Sequence, residues 1–340
     1  MRIAHVIRRI SFSDWGGTEQ VAWSIAKAQK AAGHDVRIFA TSALCGEKEE
    51  TREGLEISRF DPVYPWWPMP AELKAALDRK GGNPFVPGLA KALAGWRPDV
   101  IHSHAMARIA ELCLRVAGKT GAKSVVSLHG GGANVPAEEA ASLRAPTRWR
   151  LPWGKAVDIL LRRTRRVPLD FGGIVCVGED EYVRYRDIHP HVLFLPNGVD
   201  AGAFATCRPA PSPGRLGTVL CVARIDRQKN QMMLVEALAR HPGLRVRLAG
   251  PVTQEDYREA LLRRAAELGV SDRLVFTGAL PPGGAELKAE FARADAFVLP
   301  SRHEPFGIAV LESWAAGLPV AASAVGGLGR LCAAHPGAAL

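Results

Sequence analysis

The sequence lacks the patterns that would place the protein outside the cytosol. No apolar run reaches the roughly 18–20 residues that a membrane-spanning helix needs. The N-terminus, Met1–Ile7, runs directly into Arg8 and Arg9, without the long apolar region or the cleavage site of a signal peptide. The six cysteines form no CxxC pair. We therefore expect a cytoplasmic protein.

Two enzyme fingerprints are absent as well. No GxGxxG occurs, so the phosphate-binding fingerprint of nicotinamide-dinucleotide enzymes is missing. A hydrolase could use His129–Gly132 in an oxyanion hole, but no GxSxG nucleophile elbow accompanies this segment. Dehydrogenase and α/β-hydrolase chemistry are therefore not indicated.

The length and composition that are present indicate a globular chain of two domains. Hydrophobic residues make up 47% and charged residues 23% of the sequence, which are ordinary values for a folded protein. A chain of 340 residues exceeds one ordinary hydrophobic core, so two domains are expected. The net charge of +10 favours an anionic partner: nucleic acid, a phosphorylated small molecule or a membrane surface.

Short apolar runs alternate with longer helical patterns, which is typical of parallel α/β structure. In the first half, Thr18–Ala32 has helical apolar spacing, and Gly33 follows as a helix stop. The strands predicted in this half are Ile3–Ile7, Val36–Ala40, Val100–Ser103, Ser124–Leu128, Ile174–Val177 and Val192–Leu195.

The alternation restarts after a segment rich in proline and glycine. We therefore predict a first domain over residues 1–200, a linker over 201–215 and a second domain over 216–340. Two doubly wound domains would hold a ligand at the carboxyl ends of their strands, in the cleft between them. The elements predicted in the second half are the strands Thr218–Ala223, Arg245–Ala249, Leu274–Thr277, Ala296–Leu299 and Val320–Ala322 and the helices Asn230–Arg240, Glu255–Leu268 and Ile308–Ala316.

The segment Ser301–Glu312 is the strongest functional signal. Glu304 lies on the loop after a predicted strand, and Glu312 lies about two turns into the helix that follows. The first backbone N–H groups of this helix, from Phe306 to Ala309, are free donors with partial positive charge and suit a diphosphate. Two glutamates at this spacing are more often solvated, but the intervening Pro-Phe-Gly and the strand–loop–helix setting favour a binding site.

Other candidate residues lie at predicted strand ends. Arg224 and Lys229 follow the first strand of the second half, where a guanidinium fork and an ammonium group can bind phosphate oxygens. His102 and His104 would share one side of a strand, which admits a metal pair, but no cysteine or carboxylate cluster completes a site. Three further segments are candidates for ligand contact: Gly16–Glu19, Ser127–Gly130 and Leu195–Asp200. Without a ligand, the first would be an ordinary turn, the second would carry a structural histidine and the third would be a hinge.

Together, EPFGIAVLE and the AAGLPVAAS run after it resemble the donor-binding signature of glycosyltransferase family 4. The resemblance extends from the first strand to about Gly327. It implies the α/β GT-B architecture, in which two Rossmann-like doubly wound domains face a central cleft. The first domain would then be the acceptor side, and the second would bind the nucleotide sugar.

The resemblance also implies a role for each candidate residue. Glu304 would contact hydroxyls of the transferred sugar, and Glu312 would bind the two ribose hydroxyls. Arg224 and Lys229 would face the diphosphate and stabilise it as the leaving group. The other implied positions are Phe306, Gly307 and Ile308 beside the diphosphate and sugar, Gly16 and Gly17 close to the donor, His129 near the C6 hydroxyl of the sugar and Asn197 at the hinge.

The implied reaction moves a sugar from a nucleoside-diphosphate sugar to a hydroxyl acceptor with retention of anomeric configuration. Front-face attack needs no second carboxylate as a nucleophile, unlike the glycosidase pair. No DxD occurs, so we expect a mechanism without metal or cofactor. Family precedent favours a saccharide or lipid-linked acceptor from cell-envelope or polysaccharide synthesis.

The C-terminal end departs from the family pattern. The family continues past the two glycines with an acidic residue and several further elements, whereas this chain has Arg330 and ends at Leu340. The expectation from the sequence is a truncated, incomplete second domain with an exposed apolar surface.

Two other functions stay open as alternatives. A nucleotide-sugar epimerase can have the same architecture, although the EPFGIAVLE spacing argues against it. A basic nucleic-acid-binding protein would need exposed aromatics or a known module, and none is recognised, so we expect no nucleic-acid partner.

A basic segment, Arg144–Arg166, suggests a third kind of partner. Apolar residues interleave its cations, as in interfacial helices, and the loop Tyr64–Met69 could add aromatics. Either it docks the first domain on an anionic membrane, on the inner face, or it is a solvated helix whose tryptophans pack on the domain. Its charged residues are Arg144, Arg148, Arg150, Lys155, Asp158, Arg162, Arg163, Arg165 and Arg166, and its apolar residues include Trp149, Trp153, Ile159, Leu160 and Leu161.

Overall fold

The computed structural model describes residues 1–12, 14, 16–79, 82–130, 151–160, 167–205, 207 and 217–335. The chain divides into two compact units, Met1–Pro196 and Asn197–Leu340. Ala201–Ala205, at the start of the predicted linker, forms a short helix. Most of the rest of that segment lies outside the described residues.

The first unit is built on an eight-stranded sheet with the order β3-β4-β2-β1-β5-β6-β7-β8. All neighbouring strands are parallel except β3 and β4. The chain runs outward from β1 in one direction and from β5 in the other, so the switch point of the sheet lies between these two strands. The strands are β1 (Arg2–Arg9), β2 (Asp35–Thr41), β3 (Glu49–Arg52), β4 (Leu55–Phe60), β5 (Val100–Ser103), β6 (Lys123–Leu128), β7 (Gly173–Cys176) and β8 (Val192–Phe194).

Helices cover both faces of this sheet. Alternate residues of β1 enter different cores: Ala4 and Val6 pack in one cluster, and Ile3 and Ile7 pack in another. A parallel sheet buried on both faces is the doubly wound arrangement that the alternating pattern predicts. The helices are α1 (Gly17–Ala31), α2 (Ala71–Arg79), α3 (Leu89–Trp96), α4 (Ala107–Thr120), α5 (Gly154–Leu160) and α6 (Glu179–Tyr185).

The sequence pattern missed the antiparallel hairpin of β3 and β4. Its turn uses Glu53 and Gly54, both with positive φ (47° and 76°), which is the backbone geometry of a tight two-residue hairpin. Because β3 is short, polar and at the sheet edge, it lacks the apolar run that revealed the inner strands.

The second unit has a five-stranded parallel sheet with the order β11-β10-β9-β12-β13. Its switch point lies between β9 and β12, so the loops after these two strands leave the same edge side by side. Its elements are α7 (Ala201–Ala205), β9 (Thr218–Val222), α8 (Met232–Arg240), β10 (Arg245–Ala249), α9 (Glu255–Glu267), a 3₁₀ turn (Ser271–Arg273), β11 (Leu274–Gly278), α10 (Ala285–Arg293), β12 (Ala296–Leu299), α11 (Ile308–Ala315), β13 (Val320–Ala322) and α12 (Gly326–Ala334).

The structure confirms the predicted strands, several of them to the residue. Val100–Ser103, Arg245–Ala249, Ala296–Leu299 and Val320–Ala322 have the predicted bounds. The doubly wound character of both halves is also confirmed. Helix α12 after β13 was not predicted.

Candidate active site

The loops after β9 and β12 are joined directly at the switch point of the second unit. The backbone N–H of Arg302 donates to the carbonyl of Gln228 at 2.8 Å. The side-chain amide of Gln228 donates back to the carbonyl of His303 at 3.1 Å. These bonds fix the loop that carries Arg224 and Lys229 against the loop that carries Glu304.

Lys229 and Glu304 form an ion pair across the two loops. Lys229 Nζ lies 2.6 Å from Glu304 Oε2, and the two side chains are only 12% and 11% exposed. Ser301 Oγ donates to the same carboxylate oxygen at 3.3 Å. A charge-assisted bond with little solvent around it holds both groups in defined positions. The sequence predicted both residues for the site but not their contact.

Asp226 orients the two cations of the β9 loop. Its fully buried carboxylate lies 3.4 Å from Arg224 Nη2 and accepts a hydrogen bond from the backbone N–H of Lys229 at 3.2 Å. The Arg224 side chain keeps 28% of its surface exposed, so the guanidinium can still meet a ligand. The sequence prediction passed over Asp226, although a carboxylate between two candidate phosphate-binding cations is a usable signal.

Gly307 caps the N-terminus of helix α11 in a conformation that favours glycine. Its φ is 89°, and a Cβ there would come within 2.9 Å of Leu328 Cδ1. The unpaired N–H groups at a helix N-terminus form an anion site. Phe306 and Ile308, the other predicted neighbours of the diphosphate, are partly exposed beside it.

The two glycines that start α12 pack on the Glu304 loop. A Cβ on Gly326 would lie 2.5 Å from the carbonyl oxygen of Glu304, and one on Gly327 would lie 2.1 Å from that of Pro305. At these distances, neither position can carry a side chain unless the backbone shifts. The start of α12 therefore supports the backbone that presents Glu304.

Glu312 lies on α11 as a buried carboxyl group. It is 6% exposed, and burial raises its pKa to about 7. Among the described residues no side chain or backbone group donates a hydrogen bond to this carboxyl group. A buried carboxylate without a partner is costly, so hydroxyl donors from a ligand would stabilise it.

In the first unit, four histidines cluster where the ends of β5 and β6 lie beside the middle of β1. His5 is on β1, His102 on β5, His104 follows β5 and His129 follows β6. His5 Nδ1 lies 2.9 Å from His104 Nε2, and His104 Nδ1 lies 3.1 Å from His129 Nε2. Burial lowers the pKa of His5 and of His129 to about 4. These imidazoles are therefore neutral near pH 7.

Among the described residues, the other predicted positions make no contact reported above with the Lys229–Glu304 pair or with the histidine cluster. Gly16 caps α1 after β1, and Gly17 is its first residue. Asn197 is the first residue of the second unit, and its Oδ1 is buried without a hydrogen-bond partner in the described part of the chain.

The candidate membrane segment is described only in part. Arg144, Arg148, Arg150, Arg162, Arg163, Arg165 and Arg166, with Trp149 and Leu161, lie outside the described residues. The Tyr64–Met69 loop contacts Leu151, a described residue of the basic segment. Trp67 and Leu151 exchange two backbone hydrogen bonds at 3.1 and 3.0 Å. The two segments that the sequence suggested for a membrane surface are therefore neighbours.

Some apolar side chains of these two segments are exposed, and others pack against the first unit. Trp67, Leu151, Ile159 and Leu160 are 66%, 65%, 75% and 81% exposed. Trp153 stacks on Phe85 with ring centroids 5.6 Å apart, which agrees, for this residue, with the alternative that the tryptophans of the segment pack on the domain. Within the described residues no helix is long and apolar enough to span a bilayer.

Asp158, the one acidic residue of the basic segment, is neutralised internally. Its two oxygens accept hydrogen bonds from Arg108 at 2.9 and 2.5 Å. The Arg108 guanidinium also lies 4.4 Å from the centre of the Phe85 ring. This contact ties α5 to the body of the unit and leaves the apolar residues of α5 at the surface.

We expect the two units to respond to acid in opposite directions. Between pH 7 and 5 the unfolded first unit takes up protons on His5 and His129 that the folded unit rejects, because their folded pKa is about 4 against 6.5, and stability falls. The folded second unit takes up a proton on Glu312, whose pKa is about 7 against 4.5, and stability rises. Each shifted group contributes about 2 kcal/mol over this range.

Native-state hydrogen exchange at pH 5 and 7, corrected for intrinsic rates, separates the two units. Protection in β1 should fall and protection in β9 should rise on acidification. The Glu312→Gln variant should abolish the rise only. A parallel change in both units would contradict the assignment.

Sequence profiles of two families match the chain. Residues 15–202, more than half of the chain, match the profile described as Glycosyltransferase Family 4. Residues 208–336 match the profile described as Glycosyl transferases group 1. The second match contains the Arg224–Lys229 loop and the Glu304–Glu312 segment.

Individual proteins align with most of the chain. Glycogen synthase of Mycobacterium tuberculosis is 28% identical over 336 residues, which cover 93% of this chain and 76% of that one. GDP-mannose:cellobiosyl-diphosphopolyprenol alpha-mannosyltransferase of Xanthomonas campestris is 27% identical over 334 residues, which cover 94% and 77%. The crystal structure of Anabaena HepE in complex with UDP and glucose has a TM-score of 0.64 at 18% identity and covers 96% of this chain and 82% of that one.

Proposed function

Since the chain belongs to glycosyltransferase family 4 and has the GT-B fold of its structural neighbours, we propose that it transfers a sugar from a nucleoside-diphosphate sugar to a hydroxyl acceptor with retention of anomeric configuration. The observation that carries the proposal is the cluster of Arg224, Lys229 and Glu304 at the switch point of the second unit. It combines two cations for a diphosphate with a carboxylate for sugar hydroxyls.

The two cations would stabilise the leaving diphosphate. Negative charge develops on the bridging oxygen as the glycosidic bond breaks, and cations already in place lower the energy of that state. Asp226 holds Arg224 and the Lys229 backbone before the donor arrives. The N-terminus of α11 would supply further donors to the same group.

The two glutamates would bind different parts of the donor. Glu304, at the strand end, would accept hydrogen bonds from hydroxyls of the transferred sugar. Glu312, which lacks a donor among the described residues, would accept hydrogen bonds from the ribose diol. Vicinal hydroxyls pair well with the two oxygens of one carboxylate.

The acceptor hydroxyl would attack from the same face as the departing diphosphate. A phosphate oxygen would take the proton of that hydroxyl, so that no separate carboxylate nucleophile or metal ion enters the proposed step. His129 in the first unit would contact the transferred sugar.

The activities named for the relatives support a choice of substrate class. One acts with GDP-mannose on a diphosphopolyprenol-linked acceptor, one is a glycogen synthase, and one neighbour was crystallised with UDP and glucose. We propose a nucleoside-diphosphate hexose as donor and a saccharide or lipid-linked saccharide as acceptor. The product would enter polysaccharide synthesis.

A lipid-linked acceptor would also account for the surface formed by Trp67, Leu151, Ile159 and Leu160. Three of these exposed apolar side chains lie within the basic segment, and the backbone of Trp67 is hydrogen-bonded to that of Leu151. The combination of insertable apolar groups and cations matches interfacial binding to anionic lipid. We therefore propose that the first unit docks on an anionic membrane surface.

A panel of nucleoside-diphosphate sugars tests the proposed function. At one hundred times its dissociation constant, the correct donor should stabilise the protein by about 2.7 kcal/mol, which raises Tm by several degrees. The same donor with saccharide acceptors should release nucleoside diphosphate, and NMR should show a product of unchanged anomeric configuration. Stabilisation by no member of the panel, or isomerised donor without transfer, contradicts the proposal.

A further inference from the structure

Three hydrogen bonds connect Gln29 to His129 through two buried imidazoles. Gln29 Oε1 lies 2.7 Å from His5 Nε2. His5 Nδ1 lies 2.9 Å from His104 Nε2, and His104 Nδ1 lies 3.1 Å from His129 Nε2. The last nitrogen, His129 Nδ1, is buried and has no hydrogen-bond partner among the described residues.

The carbonyl end of Gln29 sets the direction of the whole chain. A neutral imidazole has one N–H donor and one acceptor nitrogen. With the amide oxygen of Gln29 facing His5 Nε2, His5 donates to it, and its Nδ1 then accepts from His104 Nε2. By the same rule His104 Nδ1 accepts from His129 Nε2. The proton of His129 is then on Nε2, and its Nδ1 carries a lone pair.

The neutral state that this argument needs is enforced by burial. His5 and His104 are 0% and 5% exposed. Desolvation lowers the pKa of His5 to about 4 and puts the pKa of His104 well below 6.5. His102, which packs against both rings, also has a lowered pKa and bonds separately to Ser127 Oγ at 2.7 Å. No charged imidazole interrupts the chain near pH 7.

A metal centre is the alternative interpretation of this cluster of imidazole rings. Nitrogen atoms of His5, His102 and His104 lie within 4.8 Å of one another. Two imidazoles that bind one tetrahedral ion at about 2.05 Å would place their nitrogens roughly 3.3 Å apart. The observed 2.9 Å between His5 and His104 is instead a hydrogen-bond length.

We propose that Gln29, His5 and His104 are positioning residues that fix the tautomer of His129, so that its Nδ1 accepts a hydrogen bond from a hydroxyl group of the transferred sugar. This inference rests on the proposed function for the identity of the ligand. The tautomer itself follows from the hydrogen-bond chain alone.

A fixed acceptor gives a definite substrate preference. A sugar hydroxyl can donate to the lone pair of His129 Nδ1, whereas a carboxylate at that place would face it with another lone pair. A deoxy sugar leaves the nitrogen unpartnered, which is costly for a buried polar atom. The site should prefer a neutral hexose with a hydroxyl at the contacted position over the corresponding deoxy sugar or uronic acid.

The test compares Gln29→Leu with Gln29→Glu in the whole 340-residue chain. Leucine removes the acceptor at similar size, and glutamate keeps an acceptor for His5 Nε2. Ring ¹⁵N spectra of histidine-labelled protein without donor report which nitrogen of His129 carries the proton, with His129→Gln to assign the signals. We expect Nε2–H in the parent and in Gln29→Glu, and a mixture of tautomers in Gln29→Leu.

Kinetics with paired donors then link the tautomer to the reaction. For Gln29→Leu, kcat/KM with the hydroxylated donor should fall about tenfold, the order expected for one weakened hydrogen bond. The preference for that donor over its deoxy analogue should shrink towards one, and Gln29→Glu should restore both. A simple loss of folding would lower kcat/KM equally for both donors. It would also lower the melting temperature of Gln29→Leu.

The outcomes separate the inference from the proposed function. If no sugar transfer occurs with any donor but the spectra show the predicted tautomers, the proposed ligand is wrong and the hydrogen-bond chain stands. If Gln29→Leu leaves the His129 signals and the donor preference unchanged, the inference is overturned. Stoichiometric metal in the purified protein, with His5 and His104 signals that shift on chelation, would overturn it in favour of a metal centre.

Discussion

Replacing Glu304 by glutamine is expected to lower turnover by about 10²-fold or more, because a contact to the transition state is lost. Glutamine keeps the shape of the side chain and removes the charge that pairs with Lys229 at 2.6 Å. The Lys229 ammonium would then be held mostly buried without its counterion. Glu312→Ala should instead weaken nucleoside diphosphate binding and change turnover at saturating donor much less.

Turnover and nucleoside diphosphate affinity, measured for both variants, distinguish the two roles. Glu286→Gln is a matched control, because Glu286 is an exposed carboxylate on α10 of the same unit. A double-mutant cycle with Lys229→Met shows how much of the Glu304 effect passes through the ion pair. Equal effects of the Glu304 and Glu312 variants on both quantities would refute the division of roles.

Reversing Arg162, Arg163, Arg165 and Arg166 to glutamate is expected to abolish binding to anionic vesicles. The change alters the charge of the segment by eight, and each cation near an anionic leaflet contributes roughly 1 kcal/mol before screening. Affinity should therefore fall by about 10³-fold or more. Donor hydrolysis without acceptor should be largely unchanged.

Vesicle sedimentation at low and physiological salt provides the measurement. A control with the same total charge reverses four exposed arginines of the second unit: Arg240, Arg245, Arg263 and Arg293. Substituting Leu160, which is 81% exposed, by serine tests the apolar part separately and should weaken binding by about tenfold. If the unmodified protein stays in the supernatant at low salt, or if both charge reversals act equally, the membrane surface is wrong.

The sequence pattern located the inner strands because a parallel sheet buried on both faces is built from continuous apolar runs. Val100–Ser103 and Ala296–Leu299 are such runs, and their bounds agree with the structure. The hairpin of β3 and β4 was not predicted, because β3 is polar and lies at the edge of the sheet. Its signal lies in the Glu53-Gly54 turn, not in hydrophobicity.

The site was predictable in its residues and not in its contacts. Spacing placed Glu304 on a loop before a helix, which the structure confirms. The ion pair between Lys229 and Glu304 joins residues 75 positions apart. It exists because β9 and β12 are neighbours in the sheet, and strand order is not encoded in local pattern.

The histidine cluster has the same origin. His104 and His129 were candidates from the sequence, whereas His5 and Gln29 were not. The strand order β1-β5-β6 brings the middle of β1 beside the ends of β5 and β6. One histidine inside the first strand gives no local sign that it will meet two others from later strands.

The contact of Gly326 and Gly327 with residues 304 and 305 has a consequence for anyone who builds chimeric enzymes from this chain. An exchange of the Glu304–Glu312 segment alone would end within helix α11. Here the graft must also include the start of α12, because a recipient with side chains at those two positions would push a Cβ to within 2.1 to 2.5 Å of the transplanted carbonyl groups. An exchange of residues 301–327 keeps both glycines together with the carbonyl groups that they contact, whereas a shorter exchange depends on glycines already present at those positions in the recipient.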